Sequence, residues 1–299
     1  MKNKLVSAVI VSWNRKEELK KCIDSILNQD YKPIEIIVVD NGSNDGTLEL
    51  LSKYKSKIRL IKNVKNLGAC KTRNMGIANA GGEFILFVDS DAELYEKNMV
   101  SKMMKWMNKD NMIGGIGAVV LSNIKKNEFF TSATYLRWDG FLDKRKSLFK
   151  VDEPRYDIDY VSSCVSMFRK KALLDVGGFD EHYFYGPEDV DIGIRIKKNG
   201  WKIMIDPNIK AFHYGSDKGR KKINRFYPSL IHKKSYLVIK NYSLIGVMKY
   251  ILFSYGLLFR EFFNVIVKTL TLLLIPYMVY KKNHNHIKKF INRKTRLLK

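Results

Sequence analysis

Short apolar runs alternate with amphipathic segments along the first third of the chain. The runs at 5–13, 34–40, 58–62 and 83–91 have the length and the β-branched content of buried strands. The segments between them, at 17–27, 47–54 and 71–80, have helical character. In the first of these, apolar side chains share one helical face, at Leu19, Cys22, Ile23, Ile26 and Leu27. The pattern predicts strands that alternate with helices.

This alternation predicts an α/β fold with a mostly parallel sheet flanked by helices. In such sheets, ligands bind beyond the carboxyl ends of the strands. Three predicted strands end in polar residues, at 12–14, 40–43 and 89–91. We therefore expect these side chains to meet at one edge of the sheet and to form a binding site there.

Asp89, Ser90 and Asp91 are the strongest local signal for chemistry, because they directly follow the apolar run 84–88. Two carboxylates two residues apart suit a hard divalent cation that also holds a diphosphate. Such a cation would neutralise the charge that develops on a departing nucleoside diphosphate. A solvated turn is the alternative, since Asp and Ser also favour turns. Taken alone, the motif leaves both interpretations open.

A second signal lies at 177–203, where Glu188 and Asp189 follow Pro187 at the start of an amphipathic stretch. The dipole at a helix N-terminus favours the ionised form of a carboxylate. One of the two acids could then act as a general base that deprotonates an acceptor hydroxyl. The alternative is structural, because acidic residues at helix starts are common and stabilise a helix by a few tenths to about 1 kcal/mol.

His213 lies where the ordered pattern ends, and a single histidine is more often structural than a metal ligand. Three cysteines, Cys22, Cys70 and Cys164, are far apart and lack disulfide or zinc spacing, which favours a reduced, cytosolic compartment. No small-residue cleavage site follows the first apolar run, so we interpret it as a strand and not as a signal peptide.

Four segments in order, 7–27, 35–47, 66–94 and 177–201, resemble the family 2 glycosyltransferases and, more loosely, their rhamnosyltransferase-like branch. A single Asp-x-Asp motif is common in proteins, whereas four ordered segments are far more specific. The resemblance implies the GT-A fold, a Rossmann-like nucleotide-binding sheet. It also implies a nucleotide-sugar donor, with UDP- and dTDP-sugars fitting equally well, and a divalent cation, Mn²⁺ or Mg²⁺.

The resemblance further implies which residues bind the donor. The residues after the first strand would line the base and ribose pocket, a later aspartate would contact the base, and others would serve the ribose and diphosphate. These donor-binding candidates are Ser12, Trp13, Asn14, Glu17, Asp40, Arg73, Asp89 and Ser90.

The same resemblance implies the metal and catalytic residues. Asp91 would be the direct metal ligand, with His213 completing the metal site. Asp189 of the Glu188-Asp189 pair would be the catalytic base of an inverting displacement, in which a hydroxyl attacks the anomeric carbon from the face opposite the departing diphosphate. Asp189 and the metal would then face each other across the donor sugar.

Two departures from the family pattern affect the donor site. Ser163 and Cys164 occupy the strand expected beneath the sugar, where a Gly-Ala pair is common, and this difference could alter which sugar fits. Lys71 and Thr72 precede Arg73 where smaller residues are frequent, which weakens the diphosphate role of Arg73. Cys164 itself is better explained as a packed small residue than as a nucleophile.

The C-terminal part of the chain is strongly basic. From residue 215 onward there are 19 Lys and Arg against two acids, so this part carries +17 of the net charge of +24. We predict a catalytic domain at 1–215, a basic connecting segment at 216–243 and a helical tail at 244–299. The tail's longest uncharged runs, 250–259 and 269–280, are short for a membrane span, which needs about 20 residues.

Amphipathic helices that lie on an anionic membrane surface account best for this tail, because each basic residue near the surface contributes about 1 kcal/mol. The expected location is the cytoplasmic face of the plasma membrane, either peripheral or monotopic. A helical subdomain packed on the catalytic domain or on a second subunit is an alternative, and a true span through 262–280 is another. The oligomeric state stays open.

The function that accounts for all these patterns is inverting, metal-dependent transfer of a hexosyl or rhamnosyl group. The acceptor would be a hydroxyl of a surface glycan or of a lipid-linked molecule. A nucleotide-sugar-binding protein without catalysis is one alternative. A basic nucleic-acid-binding protein is another, which the apolar character of 244–280 disfavours, so no nucleic-acid partner is expected.

Overall fold

The computed structural model describes residues 3–123, 128–131, 136, 153–156, 158–215, 227–242, 247–248, 250–252 and 256. The chain divides into two compact units, Met1–Tyr242 and Ser243–Lys299. The first unit therefore extends past the boundary predicted at 215 and contains nearly all of the predicted connecting segment. The predicted membrane-associating tail lies almost entirely outside the described residues.

The first half of the sheet is parallel. Its strands are β1 (Val6–Ser12), β2 (Ile34–Asp40), β3 (Arg59–Lys62) and β4 (Phe84–Asp89). The helices between them are α1 (Lys16–Leu27), α2 (Thr47–Ser52) and α3 (Ala69–Asn79). Strand β1 pairs with β2 on one side and with β4 on the other, and β3 pairs with β2. The predicted alternation of strands and helices is confirmed here.

The second half of the sheet is mixed. Its strands are β5 (Ala92–Leu94), β6 (Ile113–Asn123), β7 (Glu128–Thr131), β8 (Arg155–Tyr156), β9 (Val165–Arg169) and β10 (Lys202–His213). The described strands form one sheet in the order β3-β2-β1-β4-β9-β6-β10-β5, with β7 on β6 and β8 on β10. Strand β9 is antiparallel to both β4 and β6, whereas β10 is parallel to β6.

Four more helices lie in the first unit: α4 (Met99–Lys109), α5 (Lys170–Asp175), α6 (Glu188–Lys198) and α7 (Tyr227–Asn241). Among the described residues, no helix combines the length and the apolar character that a bilayer span requires.

An apolar core covers each face of the sheet, because side chains point alternately to opposite faces along a strand. On one face Ile10 of β1 packs in a cluster with Leu19 of α1. On the other face Val9 lies in a cluster with Ile77 of α3 and Ile192 of α6. The helix face predicted for α1 is buried at Leu19, Cys22, Ile23 and Ile26. The two cores hold the helices so that α1, α3 and α6 begin beside the carboxyl ends of the parallel strands.

Candidate active site

The three polar strand ends lie next to one another, as the sequence predicts. In the parallel register Ser12 is the neighbour of Asp40 across β1 and β2, and Val11 is the neighbour of Asp89 across β1 and β4. The backbone amide of Asn41 donates to the carbonyl of Ser12 at 2.8 Å, which ties the loops after β1 and β2 together. One edge of the sheet therefore carries all three predicted groups.

Asp40 and Ser12 are buried at this edge with hydrogen-bonding capacity to spare. One carboxylate oxygen of Asp40 accepts from the backbone amides of Gly42 and Ser43, at 3.2 and 3.0 Å. The other carboxylate oxygen of Asp40 and the hydroxyl of Ser12 have no hydrogen-bond partner among the described residues. Buried polar atoms in folded proteins are normally paired, so these two atoms are available to a ligand.

The remaining candidates for the base and ribose pocket follow β1 directly. Asn14 has a positive φ of 51°, and its side-chain oxygen accepts from the amide of Asn44 at 2.8 Å. Trp13 is half-buried, and Glu17 is exposed in the first turn of α1. This loop is thus fixed in shape against the loop after β2.

Asp91 lies in a buried group with the side chains of Arg15 and His213. The guanidinium of Arg15 contacts one of its carboxylate oxygens, and Nε2 of His213 lies 3.3 Å from the other. Arg15, Asp91 and His213 are 6%, 4% and 7% exposed. The backbone fixes His213 here, because it pairs with Ala92 across β10 and β5 and because the next amide, of Tyr214, donates to the carbonyl of Asp91 at 2.9 Å.

The partners of Asp91 keep its carboxylate ionised. Burial alone raises the pKa of Asp91, but the hydrogen bond and charge of His213, together with the charge of Arg15, outweigh burial and hold this pKa at about 2. Arg15 was not among the site residues that the sequence predicted. Its position directly after the Ser12–Asn14 loop is the signal that could have drawn attention to it.

Arg73 joins the end of β4 to the start of α6. Its guanidinium donates to Asp89 and to Glu188, at 3.1 Å in each case, and it is buried. Burial raises the pKa of Asp89 above its usual value, against the opposing charge of Arg73. The second carboxylate oxygen of Glu188 is buried and has no hydrogen-bond partner within the described parts of the chain. Arg73 therefore brings the two acidic motifs of the sequence into one site.

Asp189 is the next residue of α6 and has a different partner. The hydroxyl of Ser163, just before β9, donates to its carboxylate. Burial, reinforced by the charge of Glu188, raises the pKa of Asp189 above its usual range, against the opposing charge of Arg73. For Ser163 the sequence predicted only a position beneath the sugar, and its contact with Asp189 could not be foreseen.

The donor set at this edge fits a hard divalent cation. Asp89, Cys164 and His213 offer ligand atoms within 4.8 Å of one another, and Asp91 reaches the same histidine. Carboxylate oxygens and an imidazole suit Mn²⁺, and carboxylate oxygens suit Mg²⁺. Burial raises the pKa of the Cys164 thiol well above its usual value, so Cys164 is a poor ligand for either ion.

The fold and the site together define a GT-A-like α/β protein with an acidic, cation-compatible edge. The chain belongs to glycosyl transferase family 2, whose family model matches residues 7–177. A second model, described as the N-terminal domain of galactosyltransferase, matches residues 145–216. The two matches together extend over the segments that carry every candidate site residue.

Curated relatives are glycosyltransferases of several kinds. The uncharacterized glycosyltransferase YfnE of Bacillus subtilis is 28% identical, and the match covers 69% of this chain and 64% of that protein. The Escherichia coli protein WfaP, a UDP-Glc:alpha-D-GlcNAc-diphosphoundecaprenol beta-1,3-glucosyltransferase, is 36% identical over 36% of this chain and 43% of its own length. In eight such relatives the match spans between 14% and 64% of the relative's length.

Solved structures share the fold at low sequence identity. The mannosyltransferase PcManGT of Pyrobaculum calidifontis, in complex with GDP-Man and Mn²⁺, aligns with a TM-score of 0.57 and 17% identity. The alignment covers 84% of this chain and 75% of that chain. At this identity the likeness shows the shared fold.

Proposed function

We propose that this chain is an inverting, metal-dependent glycosyltransferase. It transfers a hexosyl or rhamnosyl group from a nucleoside diphosphate to a hydroxyl of a surface-glycan or lipid-linked acceptor. The observation that carries the proposal is the link that Arg73 makes between Asp89 and Glu188, at 3.1 Å to each. Through this link the strand-end carboxylates and the acidic start of α6 share one partly buried cluster, as a displacement between two carboxylate groups requires.

Asp189 is the general base in this proposal. It removes the proton from the acceptor hydroxyl while the hydroxyl oxygen forms its bond to the anomeric carbon of the sugar. A base works best when its pKa is close to the working pH, and the raised pKa of Asp189 moves it in that direction. The hydrogen bond from Ser163 fixes the carboxylate, so that it points in one direction when the acceptor arrives.

The leaving-group side of the reaction falls to the end of β4. As the new bond forms, the bond between the anomeric carbon and the diphosphate breaks, and negative charge collects on the diphosphate. A divalent cation bound by Asp91 and His213 would supply the Lewis acidity that neutralises this charge. Because attack and departure are on opposite faces of the ring, the configuration at the anomeric carbon is inverted.

The donor nucleotide would occupy the edge formed by β1 and β2. The buried hydroxyl of Ser12 and one oxygen of Asp40 are without partners among the described residues, which supports a role in binding base or ribose. The name of WfaP includes UDP-Glc, and this supports UDP among the expected UDP- and dTDP-sugars. The rhamnosyltransferase-like branch remains an expectation from the sequence.

The acceptor is proposed to be membrane-linked and the protein to bind the cytoplasmic membrane surface. The name of WfaP includes a diphosphoundecaprenol acceptor, and the charge of +17 after residue 214 supports contact with anionic lipids. Co-sedimentation with vesicles of anionic and of neutral lipid, beside DNA binding at the same salt, tests this. Preference for anionic vesicles is expected, and preference for DNA would favour a nucleic-acid-binding protein instead.

The catalytic proposal is tested with Asp91→Asn and Asp189→Asn, made separately. A panel of UDP-, dTDP- and GDP-sugars is first screened for turnover with Mn²⁺ or Mg²⁺. We expect Asp189→Asn to lose turnover and keep donor binding. We expect Asp91→Asn to lose turnover and also the effect of the metal on donor binding. Asp110→Asn is a matched control, because Asp110 forms an ion pair with Lys202 at the other end of β10, at 2.9 Å.

Three results would contradict the proposal. Wild-type turnover in both variants would show that neither residue has the role assigned to it. Full activity in excess chelator would show that the reaction does not require a metal. Binding of nucleotide sugars without turnover by the wild type, across the whole panel, would favour the alternative of a binding protein without catalysis.

A further inference from the structure

Helix α7 donates several hydrogen bonds to the segment 180–191. This segment consists of the loop before α6 and the first turn of α6. At the start of this segment, the hydroxyl of Tyr236 and the ammonium of Lys240 both donate to one carboxylate oxygen of Asp180, at 2.9 and 2.5 Å. The ring of Tyr236 also stacks on His182, with centroids 4.1 Å apart and planes 29° from parallel. In the middle, Lys233 donates to the carbonyl of Tyr185 at 2.5 Å.

The same helix holds the other end of the segment through Asp191. This carboxylate is fully buried and accepts from Lys240 at 3.1 Å and from the amide of Asn241 at 2.9 Å. Arg195 of α6 is a third donor to it, at 2.7 Å. Lys240 is thus shared between Asp180 and Asp191, which are eleven positions apart along the chain.

Burial and charge make this contact strong. Burial alone would raise the pKa of Asp180, but the hydrogen bonds to its carboxylate, that of Lys240 foremost, hold this pKa at about 2. The side chain of Lys240 is 26% exposed, and those of Asp180 and Asp191 are 18% and 0% exposed. Partly buried, hydrogen-bonded pairs of this kind restrain their elements more than exposed surface pairs do.

The first turn of α6 is held from three sides. Successive helical residues point about 100° apart, so Glu188, Asp189 and Asp191 point in different directions. Glu188 is paired with Arg73 of α3, Asp189 accepts from Ser163, and Asp191 accepts from α7. The contact with α7 involves none of the candidate catalytic, donor-binding or metal residues.

We propose that Lys240 is a positioning residue for the catalytic base, acting through Asp180 and Asp191 on the loop before Asp189 and on the turn that carries it. The inference rests on the proposed function, because it assigns Lys240 a part in the same reaction. Lys240 does not touch the reacting atoms. Its effect is to keep the Asp189 carboxylate at the distance and angle that proton transfer requires.

The test is Lys240→Met, which keeps the aliphatic length of the side chain and removes its charge. Asp191 retains Asn241 and Arg195 in this variant, so the fold is expected to persist. We expect kcat to fall about 10-fold to 100-fold, the range that a displacement of about 1 Å can produce. Binding of UDP with Mn²⁺, measured by calorimetry, should stay unchanged, because Lys240 does not contact the donor-binding residues. Lys240→Arg, which keeps the charge, should recover most of the rate.

A matched control is Lys202→Met, which removes the ion pair of Lys202 with Asp110, at 2.9 Å. Lys202 begins β10, at the end of the strand away from His213. It should leave kcat unchanged. Equal losses of rate and of melting temperature in both variants would mean that Lys240 is merely structural and would overturn the inference. A loss of UDP binding in Lys240→Met, without a loss of kcat, would overturn the inference too.

Hydrogen exchange gives a second measurement that does not depend on turnover. Amides at 180–191 should exchange faster in Lys240→Met than in the wild type or in Lys202→Met, and exchange that is unchanged would refute the positioning role. If Lys240→Met does not fold, Tyr236→Phe removes a single hydroxyl from Asp180 and should show the same local effect on a smaller scale. A wild type that is inactive on every nucleotide sugar would contradict the proposed function, while faster exchange at 180–191 would still support the contact.

Discussion

The buried pairing of Arg15 with Asp91 leads to a prediction that needs no activity assay. Arg15→Met removes the guanidinium and leaves the carboxylate of Asp91 with His213, whose Nε2 lies 3.3 Å from its other oxygen. Asp91 is 4% exposed, so water cannot replace the lost partner. The variant is therefore expected to be less stable than the wild type in metal-free buffer.

The size of the effect follows from the burial. Removing one partner of a buried ion pair costs about 3 to 5 kcal/mol, and the lower end applies here because His213 remains. In a domain of this size a loss of about 1 kcal/mol in the free energy of unfolding lowers the melting temperature by about 2 to 4 °C. We expect the melting temperature of Arg15→Met to fall by about 6 to 12 °C in chelator.

Divalent cations should reverse much of this loss. In the wild type a cation that binds Asp91 must do so beside a guanidinium, whereas in Arg15→Met that repulsion is absent. Mn²⁺ should then bind the variant at least about 10-fold more tightly, which corresponds to about 1.4 kcal/mol. A concentration 100 times the dissociation constant would add about 2.7 kcal/mol to stability.

The assay is scanning calorimetry with and without Mn²⁺, with titration calorimetry for the affinity. Arg15→Lys keeps the charge and should behave like the wild type. The prediction is wrong if Arg15→Met is as stable as the wild type in chelator, or if Mn²⁺ raises the melting temperatures of both proteins equally. Failure of Mn²⁺ to bind any form would instead count against the proposed metal site.

Three further predictions follow from single positions. The free energy of unfolding should fall by about 2 kcal/mol between pH 4 and pH 2 because of Asp91, since its pKa of about 2 lies below the usual value of 3.8. Asp91→Asn should lack this part of the decline in acid titrations followed by circular dichroism. Turnover should keep rising with pH above the usual pKa of a carboxyl, because the raised pKa of Asp189 leaves the base protonated there; a rate that is already constant from pH 5 would contradict this. Gly193→Ala should lower the free energy of unfolding by about 1 to 2 kcal/mol in urea titrations, because a Cβ would lie 2.6 Å from the carbonyl oxygen of Asp159 and 2.4 Å from the Cβ of Tyr160. A variant as stable as the wild type would show that α6 can shift.

The parallel half of the fold was predictable from local patterns. Strands β1, β2 and β4 are apolar runs with polar residues at their ends, and α1 has one apolar face, so the order of elements can be read without any long-range information. The meeting of Ser12, Asp40 and Asp89 at one edge followed because parallel strands present their carboxyl ends together. Family resemblance added the roles of these residues, which periodicity does not contain.

The mixed half of the sheet was not predictable in this way. Strand β9 lies between β4 and β6 and is antiparallel to both, although it comes after both in sequence. Nothing in a local apolar run states which strand will be its neighbour. The basic segment 216–243 illustrates the same limit, because nothing in its local pattern indicates that Lys240 pairs with Asp180 and Asp191.

The sequence by itself determined the class of fold, the edge of the sheet where chemistry can occur and the residue types that stand there, because these depend on patterns within a few residues of one another. The tertiary structure alone decided the partners: Arg15 with Asp91, Arg73 with Glu188 over 115 positions, Ser163 with Asp189, and Lys240 with Asp191. The physical reason is that an ion pair or hydrogen bond between distant residues leaves no periodic trace in the chain. It forms only when packing of the apolar cores has brought the two groups together and removed the water around them.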